Sequence, residues 1–462
     1  MGAVPVRPVT TGVKEICMVR RKLVRVVAAV GAVMMVVAAC GGDDKEPSGP
    51  GSEPTDEGPK QVQVYGTDGN VGNALGEEFG EPGQLVNMKG TTPLTELGED
   101  FTSRLLEINP ELTDFNYAGE GYDAVTVVAL ASEIARTNDA NVFKDQVNGV
   151  TTAGEACTDY ATCLAIVQAG GDVDYDGISG PLEFVDAGEP SVASFGVLQF
   201  IEDNTTEVTE YVVIGDPADA TQTAPPAAGD PAAAFAGGPL IIGTLLPITG
   251  DLAFLGPPEV AGVQLAINDV NAAGGVGGVD VQLVEGDSGD QTTDTATQTV
   301  DREINAGVNA IIGAAASGVS LSVIDRVTAA GVMLFSAANT SDQFTTYDDA
   351  GLYFRTAPPD LMQGQAVADI VLDEGNNSIF ILARNDPYGT GIADVIEANL
   401  LESGIAEDQL MKVIYDPNAQ SFRTEVDQIV EFNPDAVVLV GFIESATILS
   451  TMNEQGVGPA QN

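Results

Sequence analysis

AIIGAAASGVSLSVIDRVTAAGVMLFS, residues 310 to 336, decides the architecture of this chain. Ala310 to Ile312 is an apolar run too short for a helix and flanked by glycine, so it predicts a buried strand. Leu321 to Ala330 repeats its apolar residues at helical spacing. After Gly331, Val332 to Ser336 is a second apolar strand. Strands apolar on both faces, separated by a helix, belong to parallel sheets covered by helices on both sides.

The same alternation extends in both directions. Upstream it predicts a strand at Leu240–Pro247, a helix at Glu259–Asn271 opened by Pro257-Pro258, a strand at Val279–Glu285 and a helix at Thr293–Asn305. Downstream of Arg355 it predicts helices at Leu361–Asp373, Gly391–Leu401, Phe422–Phe432 and Glu444–Gln455, alternating with strands at Ser378–Ala383, Lys412–Tyr415 and Ala436–Val440. A break near Tyr353–Thr356 divides the pattern into two doubly wound α/β lobes. Ligands in such sheets bind beyond the carboxyl ends of the strands. There the sequence places three loops of small and hydroxyl residues: Gly313–Ser320, Ser336–Thr340 and Asn385–Gly391. Small residues let backbone amides approach a ligand, and hydroxyls suit a carboxylate; the same Ser and Thr residues also suit helix capping. Gly389-Thr-Gly391 lacks the third glycine of a dinucleotide fingerprint.

Residues 61 to 215 read differently. Strands are predicted at Gln61–Tyr65 and, as a hairpin around Gly188, at Leu182–Phe184 and Ala193–Ile201. Helices are predicted at Leu94–Ile108, Tyr122–Ala135 and Val142–Val147. Asp172, Asp174, Asp176 and Glu183 have the ligand spacing of a calcium loop. Ser179 stands where such a loop needs an apolar residue, and a strand rather than a helix follows, so the run also reads as an acidic turn. Residues 216 to 238, of Ala, Pro, Gly and Asp, read as a linker to the stretch 239 to 462.

The N-terminus, residues 1 to 39, carries an export signal, with Met18 the better start: Arg20-Arg21-Lys22 and Arg25 precede an apolar run from Val26 to Ala39. Val37-Ala38-Ala39-Cys40 resembles a bacterial lipobox, which predicts lipidation of Cys40. Residues 40 to 60 then form a polar, disordered tether on the outer face of the cytoplasmic membrane. Export implies an oxidising compartment, and so a local disulfide between Cys157 and Cys163.

With 68 acidic against 18 basic residues the net charge is -50, which argues against nucleic acid as a partner and fits either solubility or a saline habitat. There is no histidine, which removes Ser-His-Asp and Cys-His catalysis; no nucleophile, base and orienter constellation points to an enzyme, and no cofactor is implied.

The motifs GTLLPITGDLAFLG, IIGAAASGVSLSVID, SAANTS, NDPYGTG and YGTDG, with DFNYAGEGYDAV and DYDGISGPLEF, together resemble the type I periplasmic binding proteins of the leucine/isoleucine/valine-binding family. The resemblance implies a two-lobed clamp that serves an ABC permease and closes on an amino acid or small amide. It implies that Ser317, the backbone of Ala338 and Thr340 grip the ligand's carboxylate and amine from the first lobe. Tyr388, Phe442 and Asp68 would cover it from the second, with Asp68 pairing the ammonium and Leu255 beside the ligand's side chain. Phe442 replaces a common Tyr. In the family, the part resembling 239–462 precedes the part resembling 61–215. The order here implies a circular permutation, with 239–356 plus part of 116–185 in lobe one and 357–462 plus 61–115 in lobe two. The alternative functions are a ligand-sensing or interaction module on the same fold, or a non-functional fusion of two incomplete copies, which would also account for the order.

Overall fold

A computed structural model of the chain describes residues 61–220 and 233–461. The export signal, the tether with Cys40 and residues 221–232 of the linker lie outside them.

The first stretch runs β1 (Gln63–Gly66), α1 (Asn73–Glu77), β2 (Lys89–Pro93), α2 (Glu99–Ile108), α3 (Ala118–Ala135), α4 (Ala140–Phe143), α5 (Val147–Val150), β3 (Glu155–Cys157), α6 (Tyr160–Gln168), β4 (Val173–Tyr175), β5 (Val192–Phe200) and β6 (Thr206–Gly215). The second begins β7 (Ile241–Leu245), α7 (Gly256–Ala272), β8 (Gln282–Val284), α8 (Thr295–Ala306), β9 (Ala310–Gly313), α9 (Ser317–Ala329), β10 (Met333–Ser336) and β11 (Tyr353–Arg355). It ends α10 (Asp360–Asp373), β12 (Ile379–Arg384), α11 (Pro387–Glu402), β13 (Leu410–Tyr415), α12 (Arg423–Phe432), β14 (Ala436–Val440) and α13 (Ser445–Gln455).

Lobe one is built on a parallel sheet in the order β11-β10-β9-β7-β8. Lobe two is built on the order β13-β12-β14-β1-β2-β5-β6, parallel from β13 to β2, with β5 and β6 antiparallel. The fold is thus α/β with two mainly parallel sheets. Strand β1, from the first stretch, sits in register between β14 of the second and β2: Val64 lies opposite Val437 and Tyr65 opposite Lys89. Every residue of β9, β12 and β14 is buried, which is why these strands are apolar apart from Arg384 at the end of β12.

Helix α3 crosses into lobe one. All its residues from Ala118 to Ile134 are buried, against α7 and the sheet. The crossing is close because Gly262 has no side chain; a Cβ there would lie 2.1 Å from the Ala118 carbonyl oxygen.

Three expectations need correction. Helix α2 was expected in lobe two, within 61–115, but Phe101 and Leu105 pack into the lobe-one core, with Phe101 edge-on to Tyr122 at 5.5 Å and Arg104 paired with Asp269. Its apolar stripe matches α3 and α7. Leu182–Phe184 is not a strand: Leu182 and Glu183 have φ of 64° and 47°, and only a Phe184–Pro190 bridge remains of the expected hairpin. Strand β5 pairs instead with β2 and with β6, which the sequence reading left out. Of the two readings of the acidic run, the carboxylates at 172, 174, 176 and 183 form no group that could hold a metal ion among the described residues, and β4 carries Asp174 in an extended strand.

The described ends of the linker are held, not free. Ala236 exchanges backbone hydrogen bonds with Arg136 and Asn138, just beyond α3, and the Arg136 guanidinium lies 5.7 Å from the Phe235 ring centre. Cys157 and Cys163 are bonded, with Cα atoms 5.4 Å apart, tying β3 to α6.

Candidate functional site

Asp68 lies in the turn that follows β1. The turn is fixed by Asn70, whose side-chain oxygen accepts from the Thr67 amide at 2.9 Å and whose nitrogen donates to the Leu439 carbonyl at 2.9 Å. Gly69 lets this turn approach the loop after β14: a Cβ there would sit 2.6 Å from the Gly441 carbonyl oxygen. Tyr388 opens α11, where Asp386 caps the helix by accepting from the Gly389 amide at 2.7 Å. The Tyr388 ring stacks on Phe442, centroids 5.4 Å apart. These groups form the lobe-two wall.

The lobe-one wall comes from three loops. Ser317 is the first residue of α9, and its N-cap, Ala316, offers no side chain to the helix amides. An N-terminus left in this way suits a carboxylate. Ala338 and Thr340 follow β10. The Asn339 side chain donates to the Ala314 and Ala315 carbonyls at 2.9 and 2.8 Å, joining this loop to the one before α9. Buried Arg355 donates to the Asn339 and Ser341 carbonyls at 3.1 and 2.9 Å, so the loop's shape is set from beneath. Leu255 stands at the start of α7.

All seven residues expected at the site, Asp68, Leu255, Ser317, Ala338, Thr340, Tyr388 and Phe442, line one narrow cavity between the lobes. Tyr117 completes it. Its hydroxyl donates to one Asp68 oxygen at 2.7 Å, and Tyr388 donates to the other at 2.7 Å. Burial pushes the Asp68 carboxyl above its ordinary range, although both tyrosines oppose that shift.

Sequence reasoning missed Tyr117, Leu252 and Arg384. Tyr117 lay inside a quoted motif, immediately before α3; its backbone there is left-handed, φ 61°, which aims the residue out of the helix. Arg384 closes β12. It stacks on Phe442 at 3.5 Å and pairs with Asp386 at 2.7 Å and Glu444 at 2.8 Å. From the opposite lobe Asp251 comes within 3.7 Å of it, and Gln291 donates to Asp386 at 3.1 Å. This cluster lines a larger chamber that shares Leu252, Ala316 and Phe442 with the inner cavity.

The arrangement is therefore a cleft protein of two α/β lobes with opposed charges at its centre: helix amides and Ser317 on one side, Asp68 on the other. Residues 239–462 match the family model described as periplasmic binding protein, a family of binders. Among relatives, the Leu/Ile/Val-binding protein homolog 8 of Brucella abortus is 30% identical over 230 residues, which cover 47% of this chain and 55% of that protein. Homolog 7 of the same organism is 27% identical over 242 residues, 49% of this chain and 59% of that one. The chain thus spans little more than half the length of these relatives. A leucine binding protein of Thermotoga maritima is 25% identical with a TM-score of 0.42, over 47% of this chain and 61% of that one. A branched-chain amino acid transporter substrate-binding protein of Streptococcus pneumoniae, solved in complex with isoleucine, is 25% identical with a TM-score of 0.42, over 48% and 62%.

Proposed function

We propose that this protein is an exported solute-binding lipoprotein of an ABC importer. It clamps an amino acid, of the branched-chain type or a related small amide, and presents it to a permease while tethered through Cys40. The observation that carries this reading is the cavity itself. Its one wall offers amides and hydroxyls to a carboxylate, its other wall offers a buried Asp68 to an ammonium, and Leu252, Leu255 and Phe442 supply an apolar surface for the side chain. A zwitterion with an apolar side chain satisfies all three. The Arg384 cluster, with Asp251 and Gln291 reaching across, holds the lobes together over the ligand.

We further propose that the halves are circularly permuted. The reading is supported by β1 lying between β14 and β2 in one sheet, by α3 lying in lobe one, and by the family match starting at residue 239. On this reading the segment 216–238 joins an ancestral C-terminus to an ancestral N-terminus.

Two experiments test these proposals. The protein from Gly41 to Asn462 is melted with each of the twenty amino acids and with small amides. At a ligand concentration about a hundred times Kd, stabilisation of about 2.7 kcal/mol is expected, and Asp68→Asn is expected to abolish it. A cooperative transition unmoved by every ligand overturns the binding reading. For the order, a chain that runs 239–462 and then 61–215 is expected to melt cooperatively and to bind the same ligand. Its failure to fold while the natural order folds overturns the permutation.

A further inference from the structure

Tyr117 stands immediately before α3, which packs in lobe one, as does α2. The segment between these two helices nevertheless touches lobe two. Asn73 of α1 donates from its amide to the Asp114 carboxylate at 3.0 Å and from its side chain to the Thr113 carbonyl at 3.0 Å. The Asn116 side chain donates to the Val71 carbonyl at 3.4 Å. At Tyr117 the backbone turns left-handed, with φ 61° and ψ 8°, a conformation that a residue with a side chain rarely adopts. Such strain persists only where the surroundings impose it, and it gathers at ligand sites. The residue so turned is buried, lines the inner cavity and donates to one Asp68 oxygen at 2.7 Å. Tyr388 donates to the other oxygen from α11 at 2.7 Å, and its own hydroxyl is held by Thr67 at 2.7 Å. One hydroxyl from each side of the cleft thus fixes each oxygen of the carboxylate.

We propose that Tyr117 is a positioning residue for the amine end of the cleft: its hydroxyl, brought across by the α2–α3 segment, holds one oxygen of Asp68 while Tyr388 holds the other, and the carboxylate so oriented pairs a ligand's ammonium and excludes an α-oxo acid, which has no donor to offer it. This rests on the reading of the cleft as an amino-acid site. Two donors aimed at the carboxylate favour its ionised form against the burial that opposes it. Gln363 on α10 and the Asp68 amide act in the same sense. Of the other acids nearby, Asp360 on α10 feels the charge of Asp68, and Glu120 on α3 acts on Tyr117. Burial and the charge of Asp68 push the Tyr117 hydroxyl well above its ordinary range, so it stays a donor. Without that donor the Asp68 carboxyl is raised further. It then takes up a proton, and loses the ammonium, at a higher pH.

The test is titration calorimetry over a range of acid to neutral pH on the protein from Gly41 to Asn462, with L-leucine and 4-methyl-2-oxopentanoate as probes. The unaltered protein is expected to bind leucine and to show no detectable binding of the oxo acid. Tyr117→Phe is expected to weaken leucine binding on the order of tenfold near neutral pH. Its affinity is also expected to fall away on acidification from a higher pH than that of the unaltered protein. A role in packing alone would lower the affinity by the same factor at every pH. Tyr388→Phe grown on 3-fluorotyrosine leaves Tyr117 as a stronger donor to Asp68. Its leucine affinity is expected to persist to lower pH than that of the same variant grown on tyrosine, and this arm decides the matter if Tyr117→Phe does not fold. Leucine affinity in Tyr117→Phe within about twofold of the unaltered protein, or a loss constant with pH, overturns this inference and leaves the binding reading standing, as does oxo-acid binding as tight as that of leucine. No heat with leucine, and no thermal shift with any amino acid, overturns both.

Discussion

Arg355→Met is expected to destabilise the fold by about 3–5 kcal/mol and to remove ligand-dependent stabilisation. Arg355 is fully buried and bonds Glu189 through Nε at 2.9 Å. Its remaining donors reach the Asn339 and Ser341 carbonyls and the Thr345 hydroxyl. Glu189 comes from the stretch before the linker, in the turn closed by the Val185 amide on the Glu189 carbonyl. The pair therefore joins the two stretches and shapes the loop that carries Ala338 and Thr340. Removing the cation leaves a buried carboxylate uncompensated and two carbonyls without their donor, which is the expensive case. Replacing both partners, Arg355→Met with Glu189→Leu, removes the stranded charge. The double variant is expected to recover most of the stability in urea unfolding but not the ligand-induced shift, because the carbonyls at 339 and 341 still lack their donor. A single-variant loss below about 1 kcal/mol would sink this account.

Such a coupling has no local signature, and that separates what was legible in the sequence from what was not. The strands β9, β12 and β14 were legible because burial on both faces demands uninterrupted apolar runs. The loops after them were legible because a backbone that must approach a ligand excludes large side chains. Assignment of Asp68 and Tyr388 to one site came from family motifs, since nothing local in YGTDG marks a carboxylate that will face a tyrosine 320 residues away. Tyr117 and Arg384 escaped because their roles exist only after the lobes meet. Helix α2 was placed in the wrong lobe for a related reason: its stripe of Phe101 and Leu105 shows that it packs, but not on which sheet. Strand β6 escaped because most of it is exposed, so its pattern of Thr, Glu, Val and Tyr lacks the apolar density of the central strands.

Stability is expected to fall as pH rises from about 4.5 to about 8, and Glu259→Gln is expected to remove much of that fall. Glu259 on α7 and Glu120 on α3 are buried together where the two helices cross, and neither oxygen of Glu259 has a hydrogen-bond partner. Burial raises the Glu259 carboxyl well above its ordinary range, and the charge of Glu120 adds to the shift. Burial likewise pushes Glu120 up to about 8, with Asp123 adding to it. The folded chain thus keeps protons that the unfolded chain has given up. The stability this supplies is fully present below the unfolded value near 4.5. It drains by about 1.4 kcal/mol per pH unit for each retained proton, and the Glu120 share levels off once that group ionises near pH 8. Glu303 on α8, also pushed up to about 8 by burial, adds a slope of the same sign, so Glu259→Gln makes the profile shallower without flattening it. General repulsion in so acidic a chain acts in the same direction, but it is common to both proteins and cancels in their difference. At pH 8 the Gln variant is expected to exceed the unaltered protein in stability, and at pH 4.5 to match it or fall below. Urea unfolding at both pH values decides it. Equal stabilities at pH 8 would mean that Glu259 is ionised in the fold, with a partner at the α3–α7 crossing, and the account of a proton retained there would be wrong.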